Sequence, residues 1–213
     1  MLTPQAPRSK ALGQCTFDLL CYGWKRPHRL GWFVRCLFLN SRPGVRVSWR
    51  AWMARSARIQ LDPDGSWRGG NVEIADGSVI SDGTILAPYR GRIRIGERVY
   101  VGPYCVLYGG GAGAELVVGR NTMIAAHCVI VPSQHGMALD RPMRDQPTTS
   151  AGICIQEDVW VGTGVRILDG VSIGKGAVIG AGAVVATSIP EYTIAAGVPA
   201  RPVRQRLPAA AGQ

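Results

Sequence analysis

The chain has 213 residues, room for one principal domain with a sizeable core and too few for two domains of ordinary size. Hydrophobic residues make up 46% and charged residues 18%, and the 28 glycines are nearly double the usual share, which excludes a disordered chain and a coiled coil. The net charge of +10 is unevenly placed: residues 1–60 carry eleven Lys/Arg against Asp18 alone, while the rest of the chain balances thirteen against thirteen.

No run of eighteen apolar residues offers a membrane span, and the opening MLTPQAPRSK lacks the features of a signal peptide, so the chain reads as cytoplasmic. Six cysteines (Cys15, Cys21, Cys36, Cys105, Cys128, Cys154) form no C-x-x-C pair. They read as reduced, mostly buried thiols, with neither a disulfide nor a zinc site.

Taken from the N-terminus, Leu30, Phe33, Val34, Leu37 and Phe38 follow the spacing of an amphipathic helix, flanked by Arg29 and Arg35. A second helix is predicted after Pro43, with Val45, Trp49, Trp52 and Met53 on one face and Arg46 and Arg50 on another. Basic residues interleaved with Trp24, Trp32, Trp49 and Trp52 suit an anionic membrane surface, so residues 1–60 are a candidate for surface association. No nucleic-acid-binding module can be read there, and no nucleic acid partner is expected.

The body of the chain repeats every six residues. An aliphatic residue returns as Ile155, Val161, Ile167, Ile173, Ile179 and Val185, and a second series, Val159, Val165, Val171, Ala177, Ala183 and Ile189, follows each by four. Earlier copies run through Ile74, Ile80 and Leu86, then Ile95, Val101 and Leu107, then Val118, Ile124 and Ile130, with loops where the phase breaks. A period of six fits neither a helix nor one long strand. It suits a short strand followed by a turn, with Gly, Asn and Asp at the corners, and predicts an all-β solenoid of parallel strands. The expected division is a basic helical cap over 1–60, which would close the raw apolar end, a β-helix over 61–206 interrupted by a loop at 136–152, and a flexible tail at 207–213.

Two glycine-rich stretches imitate phosphate-binding motifs. Gly109-Gly110-Gly111-Ala112-Gly113-Ala114 fits a dinucleotide fingerprint in letters but leads into the strand Glu115-Leu116-Val117-Val118, not into a helix, and reads as a flexible turn between coils. The run from Gly170 to Lys175 is one residue too short for a P-loop. Of the histidines, His127 falls at a coil corner, whereas His135 opens the irregular stretch Gly136 to Gly152, the kind of insertion that carries function on a rigid scaffold.

The segments Asn121 to Ile130, Ser133-Gln134-His135-Gly136, Asp158-Val159-Trp160-Val161-Gly162, Gly180 to Val185 and Ala195 to Arg201 resemble, in order and spacing, the hexapeptide-repeat acyltransferases of the maltose and galactoside O-acetyltransferase branch. The loop ending Asp145-Gln146-Pro147-Thr148-Thr149-Ser150 is similar to that of sugar acetyltransferases of capsule, O-antigen and colanic-acid pathways. The resemblance covers residues 70–206. It implies a left-handed β-helix, a homotrimer with sites between neighbouring chains, and acetyl-CoA as co-substrate with no metal.

Carried over by position, the resemblance makes His135 the catalytic base. It sets Thr163, Ala181, Arg201 and Arg204 around coenzyme A and suggests Trp160 and Asp145 as acceptor contacts. Ala186-Thr187 departs from the Thr-Lys of related enzymes. No Asn falls at 102–105, where galactoside enzymes hold their acceptor, so simple galactosides are not the expected acceptors.

The expected reaction is acetyl transfer to a hydroxyl of a sugar or polysaccharide precursor, with an imidazole taking the proton as the hydroxyl attacks the thioester. An amino-sugar N-acetyltransferase needs the same base and coenzyme site and stands as the enzymatic alternative. A non-catalytic β-helix scaffold is the alternative of another class. A γ-class carbonic anhydrase would need three zinc-binding histidines, and only His127 and His135 lie in the repeat region.

Overall fold

The computed structural model describes residues 27–60 and 70–207. Within these residues, one helix, α1 (Pro27–Asn40), leads into six stacked coils, each with one strand in each of three parallel sheets. The coils span 45–59, 71–87, 92–108, 115–130, 153–167 and 172–185. The second sheet is extended by Thr193–Ala196, which is parallel to its neighbour, and closed by the antiparallel Arg201–Gln205.

The six-residue period becomes a triangular prism because every strand alternates one inward and one outward residue before the chain turns. All residues of both aliphatic series are buried, and each inward residue sits in register on its counterpart one coil away, as in Ile95, Val118, Ile155 and Ile173. The corners recur with the same period: φ is positive at 77, 83 and 89, at 98, 104 and 110, at 121 and 127, and at 158, 164, 170, 176 and 182.

Gly, Asn and Asp were expected to fill the corners, but Tyr89, Arg98, Tyr104, His127 and Tyr192 also hold the left-handed conformation, at a cost of roughly 1–2 kcal/mol each. Stacking helps offset that cost. The Tyr104 and His127 rings lie parallel on successive coils with centroids 5.4 Å apart, and the Tyr192 ring lies where a side chain on Gly176 would have to go.

The second predicted helix does not form. Residues 45–59 are the first coil, with strands Val45–Val47, Trp52–Met53 and Arg58–Ile59 paired to the coil above, so strand structure begins at Val45 rather than after residue 60. Val47, Met53 and Ile59 are its inward hexad, with Ala51 and Ala57 as the second series. The helical spacing of Trp49, Trp52 and Met53 is coincidental.

The first helix does form, but it packs through a different face. Trp32, Cys36 and Leu39 are buried against the first coil, while Val34, Leu37 and Phe38 of the predicted amphipathic stripe are 58–61% exposed. Hydrogen bonding explains the choice. The first coil has no coil beneath it, so one row of backbone groups lacks a ladder partner, and the buried face of α1 carries polar groups that reach that row.

The Asn40 amide donates to Val47 O at 2.9 Å and accepts from Val47 N–H at 2.8 Å. The Arg35 guanidinium donates to Ala54 O at 2.6 Å and Ala57 O at 2.5 Å, and Trp32 Nε1 donates to Trp49 O at 3.3 Å. Burial and the nearby Arg55 lower the pKa of Arg35 below the usual guanidinium value.

Replacing these donors tests the cap. Arg35→Met keeps the apolar stem and strips the first coil's carbonyls of their partner, for an expected loss of about 1–3 kcal/mol. Thermal or urea unfolding measures it, and an unchanged midpoint would mean that the coil end does not depend on this contact.

Candidate functional site

The solenoid is interrupted between its fourth and fifth coils by residues 131–152, which leave the corner between the third and first sheets. Gln134–His135 folds back on Thr148–Thr149 as a two-stranded antiparallel ladder with His135 opposite Thr148. Gln146 holds the loop between them. Its buried side-chain amide donates to Ala138 O at 2.6 Å and Arg141 O at 3.0 Å, while Gly136 N–H donates to Pro147 O at 2.8 Å. His135 is thereby presented on a braced hairpin, exposed to solvent.

Beside the hairpin lies a cleft of about 640 Å³ whose lining includes Tyr89, Arg90, Tyr108, Gly110, Ser133 and Thr148. The Tyr89 and Tyr108 rings stack nearly parallel, with centroids 5.6 Å apart. The glycine-rich turn after Tyr108 is tied to the far end of the insertion, where Gly111 N–H donates to Ser150 Oγ at 2.9 Å. A flat aromatic pair beside an arginine and an imidazole-bearing hairpin suits a polyhydroxylated ligand, which presents apolar C–H faces as well as hydroxyls. Neither tyrosine stood out in the sequence, because Tyr89 at a corner and Tyr108 at the end of the strand Val106–Tyr108 belong to no motif.

The residues expected around coenzyme A gather elsewhere. Thr163 and Ala181 occupy the corner between the second and third sheets on successive coils, linked by the Gly182 N–H to Thr163 O hydrogen bond of 2.8 Å. Gly180 N–H donates to Ala195 O at 2.8 Å, and Ala196 pairs with Arg201, which brings Arg201 to the same corner. Arg204 lies farther along that strand, opposite Ile194. Thr163, Ala181, Arg201 and Arg204 are all exposed.

Within one chain, the third sheet therefore separates His135 on one edge from Thr163, Ala181 and Arg201 on the other. Asp145 is on the His135 insertion, in the short 3-10 turn Met143–Asp145, and exposed. Trp160 points outward from the second sheet, 54% exposed and in register with Met123 and Val178, and lines neither the cleft nor the hairpin. His127 is the exposed corner residue stacked on Tyr104.

Comparison with known proteins agrees with this architecture. Residues 155–187 match the family described as "Bacterial transferase hexapeptide (six repeats)". Over 170 residues the chain is 28% identical to the "Probable acetyltransferase Rv3034c" of Mycobacterium tuberculosis, covering 79% of this chain and 54% of that protein. Over 125 residues it is 32% identical to the "Putative lipopolysaccharide biosynthesis O-acetyl transferase WbbJ" of Escherichia coli K12, covering 54% of this chain and 62% of that one. It thus spans between half and two thirds of the length of these two relatives.

Among solved structures, a variant of AntD, an N-acyltransferase from Bacillus cereus in complex with dTDP-4-amino-4,6-dideoxyglucose and coenzyme A, superposes with a TM-score of 0.66 at 21% identity over 81% of this chain and 89% of that one. A likeness at that identity speaks to the fold. The chain has the left-handed parallel β-helix fold built from six-residue repeats, and it resembles the acyltransferases that share it.

Proposed function

We propose that the protein is an acetyl-CoA-dependent O-acetyltransferase acting on a sugar or polysaccharide precursor, with His135 as general base. The observation that carries this reading is the braced hairpin, which bears exposed His135 opposite Thr148, a residue that lines a cleft together with two stacked tyrosines. The relatives' names, acetyltransferase in both cases and O-acetyl transferase in one, support the same class.

The chemistry follows from the groups present. The acceptor hydroxyl lies in the cleft and passes its proton to His135 as its oxygen attacks the thioester carbonyl. The tetrahedral intermediate collapses with cleavage of the C–S bond, and the imidazolium returns the proton to the departing thiolate of coenzyme A. No covalent acyl-enzyme is needed. Thr163 and Ala181 line the path of the pantetheine arm, and Arg201 and Arg204 pair with coenzyme phosphates through charge-assisted hydrogen bonds.

Because the third sheet separates these residues from His135 in one chain, a complete site takes the hairpin of one chain and the coenzyme corner of another. That requirement supports a homotrimer. The exposed Trp52, Tyr100, Met123 and Trp160 on the outer face of the second sheet give neighbouring chains apolar area to bury.

The first test is kinetic. His135→Ala is expected to lower turnover roughly 10²- to 10⁴-fold with coenzyme A affinity retained. His127→Ala is expected to leave turnover within a few-fold, because that ring serves a corner stack. Activity retained by His135→Ala, or lost by His127→Ala, would assign the base wrongly.

The arginines and the cleft are tested separately. Changing Arg201 and Arg204 together to Ala is expected to weaken coenzyme A more than dephospho-coenzyme A, as read by titration calorimetry. Equal weakening would contradict pairing with the 3′-phosphate. Tyr108→Ala is expected to raise the KM for whichever sugar acceptor responds in a panel screen about tenfold or more, with coenzyme affinity unchanged. An unchanged acceptor KM would remove the tyrosine pair from the acceptor site.

A further inference from the structure

The face of α1 that points away from the solenoid is apolar. Phe33 is half-buried, and Val34, Leu37 and Phe38 are 59%, 58% and 61% exposed along one side of the helix. Two of the tryptophans that made this region look suited to a membrane are committed to the solenoid. Trp32 is buried, and Trp49 is partly buried against the core.

The surroundings of the apolar face are cationic. Arg42 lies over the Phe38 ring at 5.1 Å, and the first coil beside the helix presents Arg46, Arg50, Arg55 and Arg58 outward, with Arg46 ion-paired to Glu73 at 4.0 Å and Arg50 to Asp76 at 3.7 Å on the next coil. Residues 27–60 contain no acidic residue, and the sequence before the helix adds Arg8, Lys10, Lys25 and Arg26. No described helix is long and apolar enough to cross a membrane.

We propose that this end of the solenoid docks on an anionic bilayer surface, with Val34, Leu37 and Phe38 entering the headgroup and acyl boundary and the surrounding arginines meeting lipid phosphates. An apolar stripe ringed by basic residues is the form of an interfacial helix. A second copy of the same face fits less well. Symmetric pairing would bring Arg42 and Arg55 toward their own images, with no carboxylate among residues 27–60 beside them. Arg35 on the helix is withdrawn from the surface, because its guanidinium is spent on the first coil's carbonyls.

Co-sedimentation of the full chain with vesicles tests the proposal, comparing phosphatidylcholine alone with phosphatidylcholine and phosphatidylglycerol at about three to one. The wild type is expected to partition at least tenfold more strongly onto the anionic vesicles, and added salt is expected to weaken the binding. Val34→Ser, Leu37→Ser and Phe38→Ser combined are expected to reduce that partitioning about tenfold or more with the circular dichroism spectrum unchanged. Arg42→Gln with Arg55→Gln is expected to reduce the preference for anionic lipid. Equal binding to both vesicle types, a serine variant that binds as well as wild type, or a serine variant whose only change is loss of self-association in light scattering would each overturn it. The last result would assign the face to a second copy.

Discussion

Everything in this molecule depends on where the backbone hydrogen bonds of a coil can go. In a parallel β-helix they run along the axis to the coil above and the coil below, so every interior coil is satisfied by its neighbours and every end coil is not. The six-residue period follows from this. One inward residue per strand must stack on the same position of the next coil, and from the second coil onward most corners place one residue in the left-handed conformation so that the next strand starts in register.

The same constraint explains the two ends. At the N-terminal end, α1 takes the place of a coil. Asn40 matches both the donor and the acceptor of Val47, and Arg35 serves the carbonyls of Ala54 and Ala57. At the other end the strand Arg201–Gln205 reverses direction and pairs antiparallel, with Ala200 N–H returned to Val184 O at 2.8 Å. A capped, rigid prism can then carry a long insertion at one corner without loss of register: the first sheet pairs Val118 with Ile155 directly across the residues that leave and return. The candidate chemistry resides in that insertion, and the coenzyme contacts proposed for it lie on the opposite edge of the third sheet.

Much of this was legible in the sequence. From Ile74 to Ile189 the aliphatic hexads mark the buried positions, and the break after Ile130 marks the insertion that holds His135. The first coil was not legible, because Met53 stands where Ile80, Val101 and Ile124 stand in later coils, and the tryptophans there happen to fall at helical spacing. The orientation of α1 was not legible either. Its sequence carries two apolar stripes, and the structure buries the one that also presents Arg35 and Asn40, a choice set by the needs of the first coil and not by hydrophobicity. The cleft escaped notice for a related reason: Tyr89 and Tyr108 lie nineteen positions apart in sequence and meet only because one coil rests on another.

The proposed acyl transfer uses His135 from one chain and the corner bearing Thr163, Ala181 and Arg201 from another. A crystal structure of the assembly with coenzyme A bound is the decisive test. The expected complex has a pantetheine arm running past Thr163 and Ala181 of one protomer, with its thiol beside His135 of a neighbour and the phosphates near Arg201. A coenzyme held wholly within one chain, or with its sulfur remote from every His135, would contradict it.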